Sequence, residues 1–355
     1  MLSFTILSSI QNSKSKAFAS IDYITWDDLR IPNNNTRPVS PIQLDDPNNN
    51  VTTTTIIVVD QQGYGNSTTV QGAVDMVPQD NKARVKIHIR PGVYKEKILV
   101  PENKPYISFI GERGQASQTV ITWHDKASDP NGLGGTLGTR DSASVTVLSD
   151  FFCARDIVFE NSVVEPPGGV EGFQAIAFRI SGEKAMFYKV KFLGSQDTLW
   201  DDFGSHYFLR CYIKGSVDFI FGNGRSLYRK CLIFVASNPY AIAAHHRDTA
   251  DESTGFSFVR CIIRGSGPVY LGRAWGNYSR TIYSQTQFDL EVLPEGWSDW
   301  GYPDRDSTAM FGEYNCRGRG ADRSQRVRWS KALTFSEAQP YQTIEFIKGQ
   351  QWLRL

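Results

Sequence analysis

Between residues 187 and 265 the chain keeps a phase that few folds can supply. Four segments carry an aromatic residue first and a small apolar residue or cysteine three later. A β-branched or aromatic residue follows two after that. The segments are Phe187-Val190-Phe192-Gly194, Phe208-Cys211-Ile213-Gly215, Tyr228-Cys231-Ile233 and Phe258-Cys261-Ile263-Gly265. The steps from 190 to 211, 211 to 231 and 231 to 261 are 21, 20 and 30 residues. A period of roughly 20 residues with short strands and glycine turns is that of a β-solenoid, whose coils stack on one another. The longer step is a loop extruded from one coil. An antiparallel sandwich also spaces strands regularly, but it has no reason to keep residue identity in phase. The expected fold is all-β: a single-stranded right-handed parallel β-helix with extruded loops and a disordered N-terminal tail.

The boundary of that domain falls near residue 55. Residues 1–55 are expected to be a tail or linker, because Pro32–Thr55 is dense in Asn, Pro, Asp and Thr and has little to bury. Met1–Ile10 is mildly apolar, but no Lys or Arg precedes it, so it makes a poor or truncated secretory signal. Residues 56–355 are expected to form the β-helix domain, opening with a buried strand at Ile56–Val59. A short helix over Thr69–Val77 and an alternating strand over Val85–Arg90 follow. With 38 basic and 37 acidic residues the formal charge is +1, so no global field points to nucleic acid. A local basic groove for an acidic polymer remains compatible with that balance. No apolar run is long enough to span a membrane. The five cysteines, Cys153, Cys211, Cys231, Cys261 and Cys316, contain no CxxC pair, which argues against a zinc ribbon or a thioredoxin-like motif. Cys211 and Cys231 occupy equivalent places on successive coils, about 4.8 Å apart, within disulfide range. A bridge and two buried thiols are both open at this point.

The period also brings polar residues together. Asp197 and Asp218 are 21 residues apart, and Gln174 and Gln196 are 22 apart. Residues one coil apart lie side by side, so two carboxylates meet beside two amides. Repulsion should keep one aspartate protonated and leave the other charged. A proton donor next to an anion suits acid/base and nucleophilic chemistry, and the amides suit a developing oxyanion. The histidines His88, His124, His206, His245 and His246 form no HExxH motif, so no metal or other cofactor is expected. His245-His246-Arg247-Asp248 reads as an exposed turn, and Gly132–Gly138 as a surface loop. No GxSxG elbow is present.

Several ordered motifs carry a resemblance: Gly92-Val-Tyr-Lys-Glu96, Gln174-Ala-Ile-Ala-Phe-Arg179, Gly194-Ser-Gln-Asp-Thr-Leu199, Asp218-Phe-Ile-Phe-Gly-Asn223 and Leu271-Gly-Arg-Ala-Trp275. Gly296-Trp-Ser-Asp-Trp300, Glu313-Tyr-Asn-Cys316, Arg326-Val-Arg-Trp329 and Phe346-Ile347 extend it. The chain from about 55 to 353 resembles the plant pectin methylesterases, carbohydrate esterase family 8. The resemblance implies Asp218 as nucleophile, Asp197 as acid and then base, and Gln174 and Gln196 as oxyanion donors. It implies Arg273 as the residue that holds Asp218 ionised, and Trp275 as a sugar platform. Trp200, Phe221 and Trp297 are expected as further groove walls. It also implies methyl-esterified homogalacturonan as substrate, a proteinaceous inhibitor as partner, and a monomer acting outside the cell at the wall. Sequons at Asn34, Asn50, Asn66 and Asn277 agree with a secreted glycoprotein.

The chain departs from the family pattern in three places. Ala274 stands where proline is usual, which predicts a more mobile Arg273 loop. Trp200 stands where tyrosine is usual. Asp201 and Asp202 follow it, which predicts repulsion of demethylated polymer. Two other functions compete. Paired aspartates would also serve a glycosidase cleaving the pectin backbone, although that reaction has no carbonyl oxyanion for the glutamines. A catalytically impaired pectin-binding β-helix protein is the other.

Overall fold

Successive strands enter three sheets in turn. The computed structural model describes residues 23–32, 55–164, 166, 170–237 and 239–355. The segment Met1–Ile10, most of the Pro32–Thr55 linker and the sequons at Asn34 and Asn50 lie outside them. One coil runs through Ala185–Tyr188, Lys191–Leu193 and Leu199–Asp201, and the next through Ser205–Leu209, Tyr212–Gly215 and Ile220–Gly222. These strands pair in parallel, with Phe187 level with Phe208, Phe192 with Ile213 and Leu199 with Ile220. Repetition yields sheets of 11, 8 and 8 strands. The coils wind right-handed, the sense that parallel crossovers take.

The corner between the first and second sheets explains the phase of the sequence. In seven successive coils one residue adopts the left-handed conformation: Asp156, Lys189, Arg210, Lys230, Arg260, Gln285 and Asn315, with φ between 48° and 55°. The residue after each drops inward, giving the column Ile157, Val190, Cys211, Cys231, Cys261, Thr286 and Cys316. The cysteines are free thiols, so of the two readings left open for Cys211 and Cys231 the bridge is not formed. Their thiols donate instead to carbonyls of the preceding coil, Cys211 to Phe187 O at 3.5 Å and Cys231 to Phe208 O at 3.4 Å. Burial pushes the Cys231 and Cys261 thiols well above their ordinary value. Beside this column Phe187, Phe208, Tyr228, Phe258 and Tyr283 stack with ring centroids 4.5–4.6 Å apart. Each such ring removes a large apolar area from water and adds offset-stacking attraction.

Both ends of the described chain are anchored. Helix Val70–Asp75, capped by Thr69, buries Val70, Ala73 and Val74 against the first coils. Residues 23–32 correct the expectation of a tail. Ile24–Thr25 pairs with Leu353–Arg354, and Arg155 Nη1 donates to Leu29 O at 3.0 Å. The outer face of the first sheet is apolar there, through Phe151, Met186, Tyr207 and Leu227. Ile24, Leu29, Phe346 and Trp352 cover it. The segment orders because Ile24, Trp26 and Leu29 supply enough apolar surface to offset its lost entropy.

Candidate active site

Chemistry gathers on the outer face of the third sheet. Its register aligns Arg179, Trp200, Phe221, Ala244, Arg273 and Ser298 in one row, and Phe178, Leu199, Ile220, Ala243, Gly272 and Trp297 in the next. Side chains alternate across a strand, so the two rows face opposite ways. The second row lies in the main core. Members of the first form a separate cluster, in which Trp200 and Trp275 pack against Phe221 and Ala244.

Asp197 and Asp218 each sit two residues ahead of their strand, at the same level of successive coils. Both adopt positive φ, 61° and 48°, which Asp tolerates better than most residues. Asp197 N donates to Val217 O and Asp218 N to Ala241 O. Both side chains are buried, Asp197 at 9% and Asp218 at 7% exposure. Arg273 reaches Asp218 from two coils away, past the small Ala244. Its Nε and Nη2 both lie on Oδ2, at 2.8 and 2.7 Å. The other oxygen, Oδ1, is buried and has no hydrogen-bond partner. Burial pushes the Asp218 carboxyl above its ordinary value, while the charge and hydrogen bonds of Arg273 pull it back. Gln196 and Gln174 are half-buried nearby. Gln196 Oε1 is buried without a partner. Ala175 N donates to Gln196 O at 3.2 Å, the parallel pattern that sets Gln174 level with Gln196 on the next coil.

The aromatic walls are only partly as expected. Trp200 stacks on Phe221 at 5.4 Å, Phe221 meets Trp275 at 5.9 Å, and His246 lies edge-on to Trp275 at 4.4 Å. Trp297 is not in the groove. It is 1% exposed, stacks on Phe311 at 4.5 Å and donates Nε1 to Glu313. A solenoid core accepts so large a ring here because the neighbouring residue is Gly272, whose missing Cβ would stand 3.1 Å from the indole.

Three further expectations change. Asp201 does not face the groove. It is fully buried and receives hydrogen bonds from His206 Nδ1 at 2.5 Å and Tyr228 OH at 2.6 Å. Asp202 accepts from Arg179 Nε and Nη2, at 3.0 and 2.6 Å, and from Ser181 Oγ. Neither carboxylate is left to repel a polyanion, since one points inward and the other is paired. Ala274 ends the strand Tyr270–Ala274, is fully buried, and accepts from Arg305 Nη1 at 2.6 Å. Strand pairing holds Arg273 there without proline. His245 likewise lies buried in the strand Ala241–His245 rather than in an exposed turn. Burial drives its pKa down to about 3. Burial also opposes charge on His206, but the Asp201 carboxylate outweighs it and leaves that pKa raised.

Sequence reasoning overlooked Trp300. Its ring, 43% exposed, lies 3.8 Å from the Arg273 guanidinium carbon. Arg273 is thus held between an indole and a carboxylate. Arg179, 4.5 Å from the Trp200 ring centre, was overlooked as well. Only a residue's place in the motif Gly296–Trp300 hinted at the first of these.

A parallel β-helix that carries an arginine-held carboxylate beside an aromatic groove is built as a polysaccharide-directed carboxylic ester hydrolase. The comparisons with known proteins agree. The family model described as pectinesterase matches residues 56–350. Pectinesterase QRT1 of Arabidopsis thaliana is 61% identical over 297 residues, covering 83% of this chain and 78% of that one. The pectin methylesterase from carrot superimposes with a TM-score of 0.75 at 34% identity, over 83% of this chain and 94% of that one. The Aspergillus niger pectin methylesterase does so at 0.70 and 26%, over 85% and 97%. The chain belongs to the pectinesterase family, the carboxylic ester hydrolases that demethylate pectin.

Proposed function

We propose that the enzyme hydrolyses methyl esters of homogalacturonan through an acyl-enzyme formed on Asp218. The observation that carries this reading is the asymmetry of the Asp218 carboxylate. Oδ2 takes both Arg273 contacts, whereas Oδ1 is buried and unpartnered. A desolvated oxygen with nothing to bond is a reactive one, and Arg273 keeps it ionised. Oδ1 attacks the carbonyl carbon of the ester. The oxyanion that develops falls to the side-chain amides of Gln196 and Gln174; a half-turn of the Gln196 amide presents its donors where Oε1 now stands without a partner. The intermediate collapses with loss of the methoxy group, which takes the proton of Asp197 and departs as methanol. Asp197, now charged, removes a proton from water as it adds to the mixed anhydride. The C–O bond to Asp218 breaks, and the polymer leaves with a free carboxylate. Trp275, Trp200 and Phe221 line the path of the sugar chain, and Trp300 stiffens Arg273 through its cation–π contact.

The same reading makes the enzyme a monomer at the plant cell wall, with a groove open to a proteinaceous inhibitor. The plant relatives support that setting, and Asn277, exposed in its sequon, supports secretion. Asp218→Ala should lower methanol release from highly methylated pectin by about 10⁴-fold, with pectin binding and polymer length unchanged. Substantial residual turnover would remove Asp218 from the nucleophile role, and shortened polymer would indicate backbone cleavage.

A further inference from the structure

We propose that the edge of the β-helix opposite the catalytic sheet binds de-esterified homogalacturonan as a second, purely electrostatic polyanion site. The corner between the first and second sheets lies across the prism from the third sheet. Four successive coils present Lys189, Arg210, Lys230 and Arg260 there, each in the left-handed conformation with φ of 54–55°. Arg210, Lys230 and Arg260 are exposed and Lys189 is half-buried. Strand spacing sets these four cations about 4.8 Å apart in a straight row. Among the described residues no carboxylate lies within ion-pair distance of any of the four. The nearest acidic member of the row, Asp156, is already taken by Arg155 Nε at 2.8 Å.

Two observations argue against an incidental cluster. Left-handed backbone is unfavourable for long side chains, whereas Asn, Asp and Gly take it at lower cost. The same column uses Asp156 at one end, Gln285 and Asn315 at the other, and cations in the middle, with Gln285 Oε1 accepting from Arg260 Nε at 2.8 Å. The chain as a whole is nearly neutral, at +1, so the row is a local concentration of charge. A cavity of about 470 Å³ adjoins the row, lined by Gly114–Gln118, Lys189–Lys191, Arg210, Tyr212 and the one carboxylate of Asp156, which Arg155 pairs. Lys191 Nζ lies 2.6 Å from Ser117 Oγ at its mouth.

Like charges at this spacing repel unless a linear anion neutralises them. The polymer that this enzyme produces is such an anion, with one carboxylate per sugar and a sugar length close to the coil rise. Binding it on the far edge would keep the enzyme on demethylated stretches while the groove works on methylated ones. The inference rests on the pectinesterase chemistry for its choice of polyanion, and on the corner geometry for the site.

The test compares the full chain with a Lys189→Asn, Arg210→Asn, Lys230→Asn, Arg260→Asn variant, since asparagine suits the left-handed corner. The probe is fully de-esterified polygalacturonate at low and moderate salt, with methanol release from a short methylated oligogalacturonate read separately. The variant should bind polygalacturonate about tenfold or more weaker, with a shallower salt dependence. Its turnover of the short substrate should stay within about twofold of wild type. Trp275→Ala, which weakens the groove, should retain the salt-dependent binding. Unchanged affinity in the fourfold variant overturns the proposal. So does a parallel loss of short-substrate turnover, because the row would then act through the groove. Preferential loss of binding to phosphatidylserine vesicles would assign the row to a membrane and overturn it as well. A wild type that binds polygalacturonate through the row but releases no methanol would sink the catalytic reading alone.

Discussion

Two corners of each coil use the same backbone device to different ends. At the corner between the first and second sheets, two residues join the strands from the coil of Asp156 onward. Arg210 and Cys211 lie between Leu209 and Tyr212, and Lys230 and Cys231 between Arg229 and Leu232. From Asp156 to Asn315, over seven successive coils, the first of the two is left-handed and the second turns inward. At the corner entering the third sheet, the connection changes from coil to coil. It spans residues 194–198 in one coil, 216–219 in the next and 289–296 in another. Among the non-glycine residues described in those connections, only Asp197 and Asp218 are left-handed. The regular corner builds a ladder whose members are interchangeable. The irregular corner frees two aspartates from the ladder and holds them in a strained, buried place where chemistry can use them.

Changes at the two corners should therefore fail in different ways. After Asp218→Ala itself, the largest effect belongs to Arg273→Ala, expected to lower kcat by about 10³-fold because a buried carboxylate loses its partner. Burial already holds Asp218 above the ordinary aspartate range, and Arg273 opposes that shift. Without the guanidinium the carboxylate ionises only at higher pH, so the acid limb of the rate profile should move upward. A limb that stays in place would show that Arg273 does not set the charge of Asp218.

Phe208→Ala, inside the regular ladder, should cost about 3–5 kcal/mol of stability by denaturant titration. The protein that remains folded should keep its kcat within about twofold. A selective loss of kcat would break the comparison, because the ladder would then be part of the catalytic apparatus.

The buried pair of Asp201 and His206 lies beneath the third sheet and should behave as scaffold. The folded-state pKa of His206 is raised, so its contribution is fully present below the unfolded value and fades as pH rises through the folded one. His206→Gln should cost about 1–3 kcal/mol at pH 5, about 1.5 units below the unfolded value, and less at pH 9. The reverse ordering across those two melts would mean that His206 is neutral in the fold. His245, driven down to about 3, works in the opposite sense: the stability of its neutral form is present above the unfolded value and is lost as pH falls.

The smallest effect is expected for Cys231→Ser, under about 1 kcal/mol. Thr286 already holds the equivalent place in the column, with its Oγ1 3.3 Å from Phe258 O as the cysteine thiols stand to theirs. Reducing agent should leave the Tm of the wild type unchanged. A drop would reveal a disulfide that the free thiols of this structure exclude.

Most of the scaffold was legible because its corner keeps a length of two residues from the coil of Asp156 onward, so sequence spacing maps directly onto the coil rise. The strand at Val85, the helix capped by Thr69 and the aromatic ladder all follow from local patterns of burial. Order in residues 23–32 was not legible, since it depends on an apolar sheet face that residues 151–259 assemble from distant coils. The site divides along the same line. The spacing of Asp197 and Asp218 made them neighbours. Trp297, Asp201 and His245 were misplaced because facing alternates with every residue, and a variable connection hides where each strand begins.

By itself, then, the amino-acid sequence determined the solenoid, its period and the meeting of two aspartates on adjacent coils. Those rest on local pattern and on a parallel register that turns about 21 residues into one strand spacing. The tertiary structure alone decided which tryptophan lines the groove and which fills the core. It also decided that Arg273 crosses two coils to one oxygen of Asp218 and leaves the other bare. Such choices depend on the size of neighbours such as Gly272 and Ala244, which become neighbours only after the coils have stacked.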